Sequence, residues 1–250
     1  MRKALTGLVV IGLLLGLARV SQAGGDEVTA IIDKAIKAHG VKEKDKTYAY
    51  RGKNKGTLHV SGLDLEFTQE ITVQVPGKFK EVMSLTVMGQ PVNVTTVFNG
   101  KEGWVKANDK DIEVTKDILN ELKEVANVIE LSQGMFLKDK SLKTSALGEL
   151  KVNDKATVGI KVSKEGRRDV DFYFDKTTGL LTKVSRRALD VQSGQEVTED
   201  RIITEYKEVD GRKLAKKVEV QRDGKAFLEV EVVEGRVVDR VDDQEFAKPN

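Results

Sequence analysis

His39 and His59 are the only imidazoles in a chain of 250 residues, and the chain has no cysteine. Near neutral pH a general base or zinc ligand is most often drawn from these two residue types, and such chemistry needs several groups converging on one point. His39 falls at the end of a helical pattern, where a cation beside the last carbonyls is mildly favourable. His59, between Leu58 and Val60, reads as an exposed strand position. The run Asp109-Lys110-Asp111-Ile112-Glu113 has the acidic alternation of a calcium loop. It lacks the glycine at the sixth position and the spaced terminal glutamate, so it reads as a polar hairpin tip. Asn93-Val94-Thr95 matches a glycosylation sequon but lies inside a strand pattern. There is no Gly-rich phosphate loop, G-x-S-x-G elbow or H-E-x-x-H helix. The carboxylates mostly alternate with apolar residues or stand beside lysines. The sequence therefore reads as non-catalytic, with no metal and no cofactor.

The first residues carry an address. Arg2 and Lys3 precede an aliphatic and glycine run from Leu8 to Ala18, and Ser21-Gln22-Ala23 sets small residues at the −3 and −1 positions of a cleavage site. That is the pattern of a secretory signal peptide cut after Ala23. The run falls short of the roughly 20 residues of a spanning helix. Loss of Arg2, Lys3 and Arg19 leaves 39 of the 42 basic residues against 40 acidic ones, a net charge of −1. No basic stripe remains for nucleic acid. Export without cysteine excludes disulfides and a lipid-modified cysteine, and points to a periplasmic protein, expected to be a monomer.

Two helices are expected. Asp26 to His39 repeats apolar residues at helical spacing and is followed by Gly40 at the cap position. Thr115 can cap a second helix running to Leu131, with Ile118, Leu122, Val125 and Ile129 as its stripe. Residues 132–150 read as irregular, with Met135, Phe136 and Leu137 as an apolar patch that docks. The remainder is strand. Five runs lie between Tyr48 and Phe98, separated by Gly52, Gly56, Gly62, Pro76-Gly77 and Gly89, and Trp104 stands on a return strand after Asn99-Gly100. Seven more fall between Thr157 and Val241, with turns that include Thr178-Gly179 and Glu234-Gly235.

Alternation gives this sheet one wet and one dry face. Val170, Phe172 and Phe174 oppose Asp171, Tyr173 and Asp175; Val218 and Val220 oppose Lys217 and Glu219; Leu228, Val230 and Val232 oppose Glu229 and Glu231. With no Pro/Ser linker, residues 24–250 read as one domain, a mainly β (α+β) fold. Its single large antiparallel sheet must curl, because two helices cannot cover so many strands.

Three local patterns, in order, carry a resemblance. "VQVPGKFK" (Val73 to Lys80) is followed by "FNGKEGW" (Phe98 to Trp104). Then come "FDKTTGLLTKV" with "YKEVDGRKL", and "FAKP" at Phe246 to Pro249. Together they resemble the LolA/LolB-like superfamily of periplasmic lipoprotein-sorting and carrier proteins. The resemblance implies an unclosed half-barrel whose concave aliphatic face, lidded by helices, holds an acyl chain of a lipid or lipoprotein. Val170, Phe172, Phe174, Val218, Val220, Leu228, Val230 and Val232 would then line the hollow, with Ile32, Ile36, Ile118 and Leu122 as its lid. An ordinary solid core is the alternative use of the same residues. The family's carriers place an arginine before the proline to hold the lid, whereas this chain has Val75 before Pro76, so that mechanism does not transfer. A carrier or binder is the leading expectation. An envelope sensor that uses the barrel to bind lipid or an envelope membrane protein is the other, and the end of the chain at Asn250, soon after the last strand, favours the former.

Overall fold

The structure is a computed structural model that describes residues 25–42, 49–133, 135–191 and 193–249. The expected signal peptide lies outside them. Helix α1 (Gly25–Ala38) begins with Asp26 and Glu27, where carboxylates favour the N-terminal end, and ends before Gly40 at φ +66°. Helix α2 (Lys116–Leu131) is capped as expected: the Ile118 amide donates to Thr115 Oγ1 at 3.3 Å.

Thirteen strands form one antiparallel sheet that does not close. They are β1 (Ala49–Val60), β2 (Leu63–Gln74), β3 (Lys78–Val87), β4 (Gln90–Phe98), β5 (Gly103–Ala107), β6 (Lys110–Ile112), β7 (Lys143–Val152), β8 (Lys155–Ser163), β9 (Val170–Asp175), β10 (Leu181–Asp190), β11 (Gln195–Val209), β12 (Arg212–Arg222) and β13 (Lys225–Val238). The order β6-β5-β4-β3-β2-β1-β13-β12-β11-β10-β9-β8-β7 leaves β6 and β7 as the edges. The β9–β10 hairpin turns as its sequence requires. Gly179 takes φ +78°, and Asp175 Oδ1 accepts from the amides of Thr177 and Thr178.

Three expectations are corrected. Gly52 and Gly56 do not separate strands, and Glu234-Gly235 is not a turn: all lie inside the long pair β1–β13, where Gly52 faces Gly235. A Cβ on either would meet the Tyr50 side chain within 3 Å, and one on Gly56 would run into the Glu229 carbonyl oxygen. These glycines admit close contacts rather than bends. Residues 143–150, within the segment 132–150 read as irregular, belong to edge strand β7, which turns into β8 through Asn153 and Asp154 at positive φ. Asn and Asp did what glycine usually does there.

Residues paired directly across strands point to the same side, and the side shared by Ile160, Phe172 and Val184 carries the helices. Beneath α1, Val28, Ile32 and Ala35 pack with Phe172, Phe174 and Ile160. Beneath α2, Leu122 and Ala126 pack with Val73, Val75, Phe79 and Phe98. A Cβ on Gly103 would press on the end of the Leu122 side chain of α2. On the convex side, Phe246 of the short turn Asp243–Phe246 joins Ala49, Val97 and Val241 in a smaller cluster.

Candidate ligand cavity on the concave face

A cavity of about 300 Å³ lies where α1 and α2 end above the sheet. Ile71 and Val73 of β2 face Val184, Ile203 and Val218 of β10 to β12 across it, and Val128 and Ile129 of α2 roof it. Apolar enclosure of this size stands at the lower bound of small-molecule pockets. The sheet curls tightly enough here that Glu81 of β3 feels the charge of Arg201 of β11.

His39 stands at the cavity wall and fastens the end of α1. Its Nδ1 lies 2.8 Å from the Ala35 carbonyl, which can only accept, so Nδ1 carries the proton. Nε2 then accepts from the Leu181 amide at 3.3 Å, while the Tyr206 hydroxyl donates to the Leu181 carbonyl at 2.6 Å. Burial holds the His39 pKa below its usual 6.5, against the pull of the Ala35 carbonyl. The helix-end cation expected from sequence is thus a neutral, doubly bonded imidazole. The unfolded chain takes up a proton at about 6.5 and the native chain only at lower pH. Stability is therefore expected to fall as pH drops below 6.5 through this group. His39→Gln should flatten that part of a denaturant-midpoint curve, and an unchanged curve would refute the assignment. His59 sits on the convex face between Asp64 (2.7 Å) and Glu229 (3.5 Å), which raise its pKa.

Sequence reasoning missed a charged cluster on the concave face. Arg186 of β10 and Glu199 of β11 are 6% and 3% exposed. Arg186 donates to Glu121 of α2 at 2.6 Å and to Glu199 at 3.0 Å. Glu121 also accepts from Arg168 (2.8 Å) and from the Leu189 amide (2.9 Å). Arg201 and Arg222 complete the shell of Glu199 at 3.1 and 3.2 Å. Burial alone would push the Glu199 carboxyl up, but Arg201, Arg186 and Arg222 outweigh it and hold the pKa at about 2. The cluster ties α2 to the sheet. Val75, in the position where the resembling carriers have an arginine, is buried under α2 among apolar side chains. The legible signal was inward phase: Val184, Arg186 and Ala188 alternate on one face, as do Glu199, Arg201 and Ile203.

The expected lining residues separate into three groups. Val170, Phe172 and Phe174 are fully packed in the cluster beneath α1. Val218 lines the cavity. Val220 is buried, and Leu228, Val230 and Val232 lie half-buried on the same face. Val218 and Val230 also flank a second depression of about 340 Å³. Of the lid residues, Ile32 and Leu122 are buried, Ile36 packs against the α1 cluster, and Ile118 is half-buried.

No protein-family model and no curated protein matches the sequence. Solved structures do match its fold. A DUF1329 family protein from Desulfovibrio piger superimposes with a TM-score of 0.53 at 12% identity, over 88% of this chain and 97% of that one. A LolA superfamily protein from Nitrosomonas europaea gives 0.53 at 8% identity over the same shares. A domain from Vibrio parahaemolyticus, provisionally named as an outer membrane lipoprotein-sorting protein, gives 0.50 at 9% identity over 87% and 94%. The chain shares the unclosed half-barrel fold of the LolA superfamily.

Proposed function

We propose that the protein is a non-catalytic carrier or binder of an acyl group in the bacterial envelope, exported by the segment that ends at Ala23. The observation that carries this reading is the apolar cavity between the helix ends and the concave face. A solid core would have filled that space, since protein interiors pack to crystal-like density. The half-buried row Leu228, Val230 and Val232 continues the aliphatic surface beyond the helices and supplies room for a chain longer than the cavity. The named LolA superfamily and lipoprotein-sorting neighbours share the fold and agree with this role.

Val218→Trp tests it. A large side chain placed in an existing hollow displaces the guest, whereas in a filled core it overpacks and costs roughly 1–3 kcal/mol. The variant is expected to keep a midpoint close to that of the parent and to lose uptake of a fluorescent fatty acid. A folded variant with unchanged uptake would count against the cavity as the binding site. Severe destabilisation would mark Val218 as core.

A further inference from the structure

Among the described residues, every ionisable residue that lines the cavity is basic or neutral: Arg201, Arg212, Lys213, His39 and Tyr206. They are not equivalent. His39 is neutral and spends both ring nitrogens on the backbone. Lys213 places its ammonium 2.8 Å from Glu208. Arg212 has an interaction of its own. Arg201 differs: its Nε donates to Glu199 at 3.1 Å, and its two terminal nitrogens make no hydrogen bond among the described residues. A guanidinium so disposed presents a planar pair of donors, the fork that fits a carboxylate or phosphate bidentately.

We infer that Arg201 is the head-group site of the cavity and that the guest is an anionic amphiphile, its carboxylate or phosphate on Arg201 and its acyl chain along Ile71, Val184, Ile203 and Val218. This deepens the acyl-binding reading and rests on it. The Arg201 side chain is 32% exposed, so its fork is open to an incoming anion, whereas an acid bound deeper in the cavity without it would bury an unpaired charge. Two acids of the protein stand near the fork. Glu199 is held on its far side by Arg186 and Arg222 as well. Glu81 accepts from Gln69 at 2.7 Å, and burial raises its pKa, which weakens its claim on Arg201.

The experiment compares palmitate, 1-palmitoyl lysophosphatidate and uncharged 1-monopalmitin on the intact protein, each in competition with a fluorescent fatty acid. At least one anion is expected to bind about tenfold or more tightly than monopalmitin, in keeping with a charge-assisted hydrogen bond; the tighter of the two identifies the head group as carboxylate or phosphate. Arg201→Gln should bring the anions down to the affinity of monopalmitin measured on the same variant, and Arg201→Lys, which keeps the charge but not the fork, should retain part of the preference. Equal binding of all three amphiphiles by the parent overturns the inference and leaves the acyl-binding reading standing. A uniform loss for all three in Arg201→Gln, with Arg201→Lys showing no selectivity either, overturns it too and makes Arg201 structural. If none of the three binds, the acyl-binding reading fails and the head-group site with it.

Discussion

Glu199→Gln is expected to lower stability by about 3–5 kcal/mol, the usual cost of breaking a buried ion pair from one side. The substitution keeps the shape and removes the charge. Arg186, Arg201 and Arg222 would then converge within hydrogen-bonding distance of one neutral amide, with Arg186 almost wholly out of solvent. For a chain of this size, that amounts to a fall in Tm of roughly 10 °C. The double variant Glu199→Gln/Arg186→Met relieves the repulsion and should recover a good part of the loss, because an apolar replacement of a buried pair is often near neutral. Single and double variants together measure the coupling directly. A change within about 1 kcal/mol for Glu199→Gln would mean that Glu121 on Arg186, Asp190 on Arg222 and solvent balance the guanidinium groups without Glu199.

Acid should unfold the protein through the same residue. The native pKa of Glu199 is about 2 against an ordinary 4.5. A depressed carboxyl contributes its full stabilisation above the unfolded value and loses it as pH falls from about 4.5 toward 2. The gap corresponds to about 3 kcal/mol. Glu81 and Glu124 act with the opposite sign. Burial raises both, so their native forms hold protons more readily than the unfolded chain, and they favour the fold as pH falls into their range. The limb that belongs to Glu199 should therefore set in below 4.5, beneath the earlier fall that His39 contributes below 6.5. Denaturant titrations across pH should show this limb in the parent and a markedly shallower one in Glu199→Gln. An identical acid limb in the two proteins would assign acid unfolding to other carboxylates.

Most of the architecture could be read because local rules and tertiary demands agree. Thr115 caps its helix, Gly179 turns its hairpin, and the alternation of Val170, Phe172 and Phe174 names the side that faces the helices. Glycine misled where its reason was contact rather than conformation. Gly52 and Gly235 look like breaks, yet their missing side chains make room for Tyr50, a residue of the same strand pair whose position is fixed only by the long-range register. Strand β7 was hidden by its polar edge composition, which is how an edge resists pairing with strangers. The site was less legible than the fold. Periodicity assigns a face but not its occupancy, so it grouped Phe172, in a closed cluster, with Val218, beside a void. Charged residues in an inward phase were passed over as solvated, although Arg186 and Glu199 sit opposite each other in register on neighbouring strands.

The strand order also has a meaning for how the molecule assembles. Strands β1 to β6 form one meander and β7 to β13 another, each made of neighbours in sequence. The two are sewn together by a single non-local seam, β1 against β13, in which Ala49 meets Val238. Every hairpin can therefore close over a short loop, while the seam must wait for the far end of the chain and bears the largest loop-closure entropy. Until then β1 is the exposed flank of the first meander. A nascent or clipped chain lacking β13 would offer its neighbours a long, glycine-bearing strand from the middle of the finished sheet, in place of the short β6 and bulged β7 that edge the native molecule.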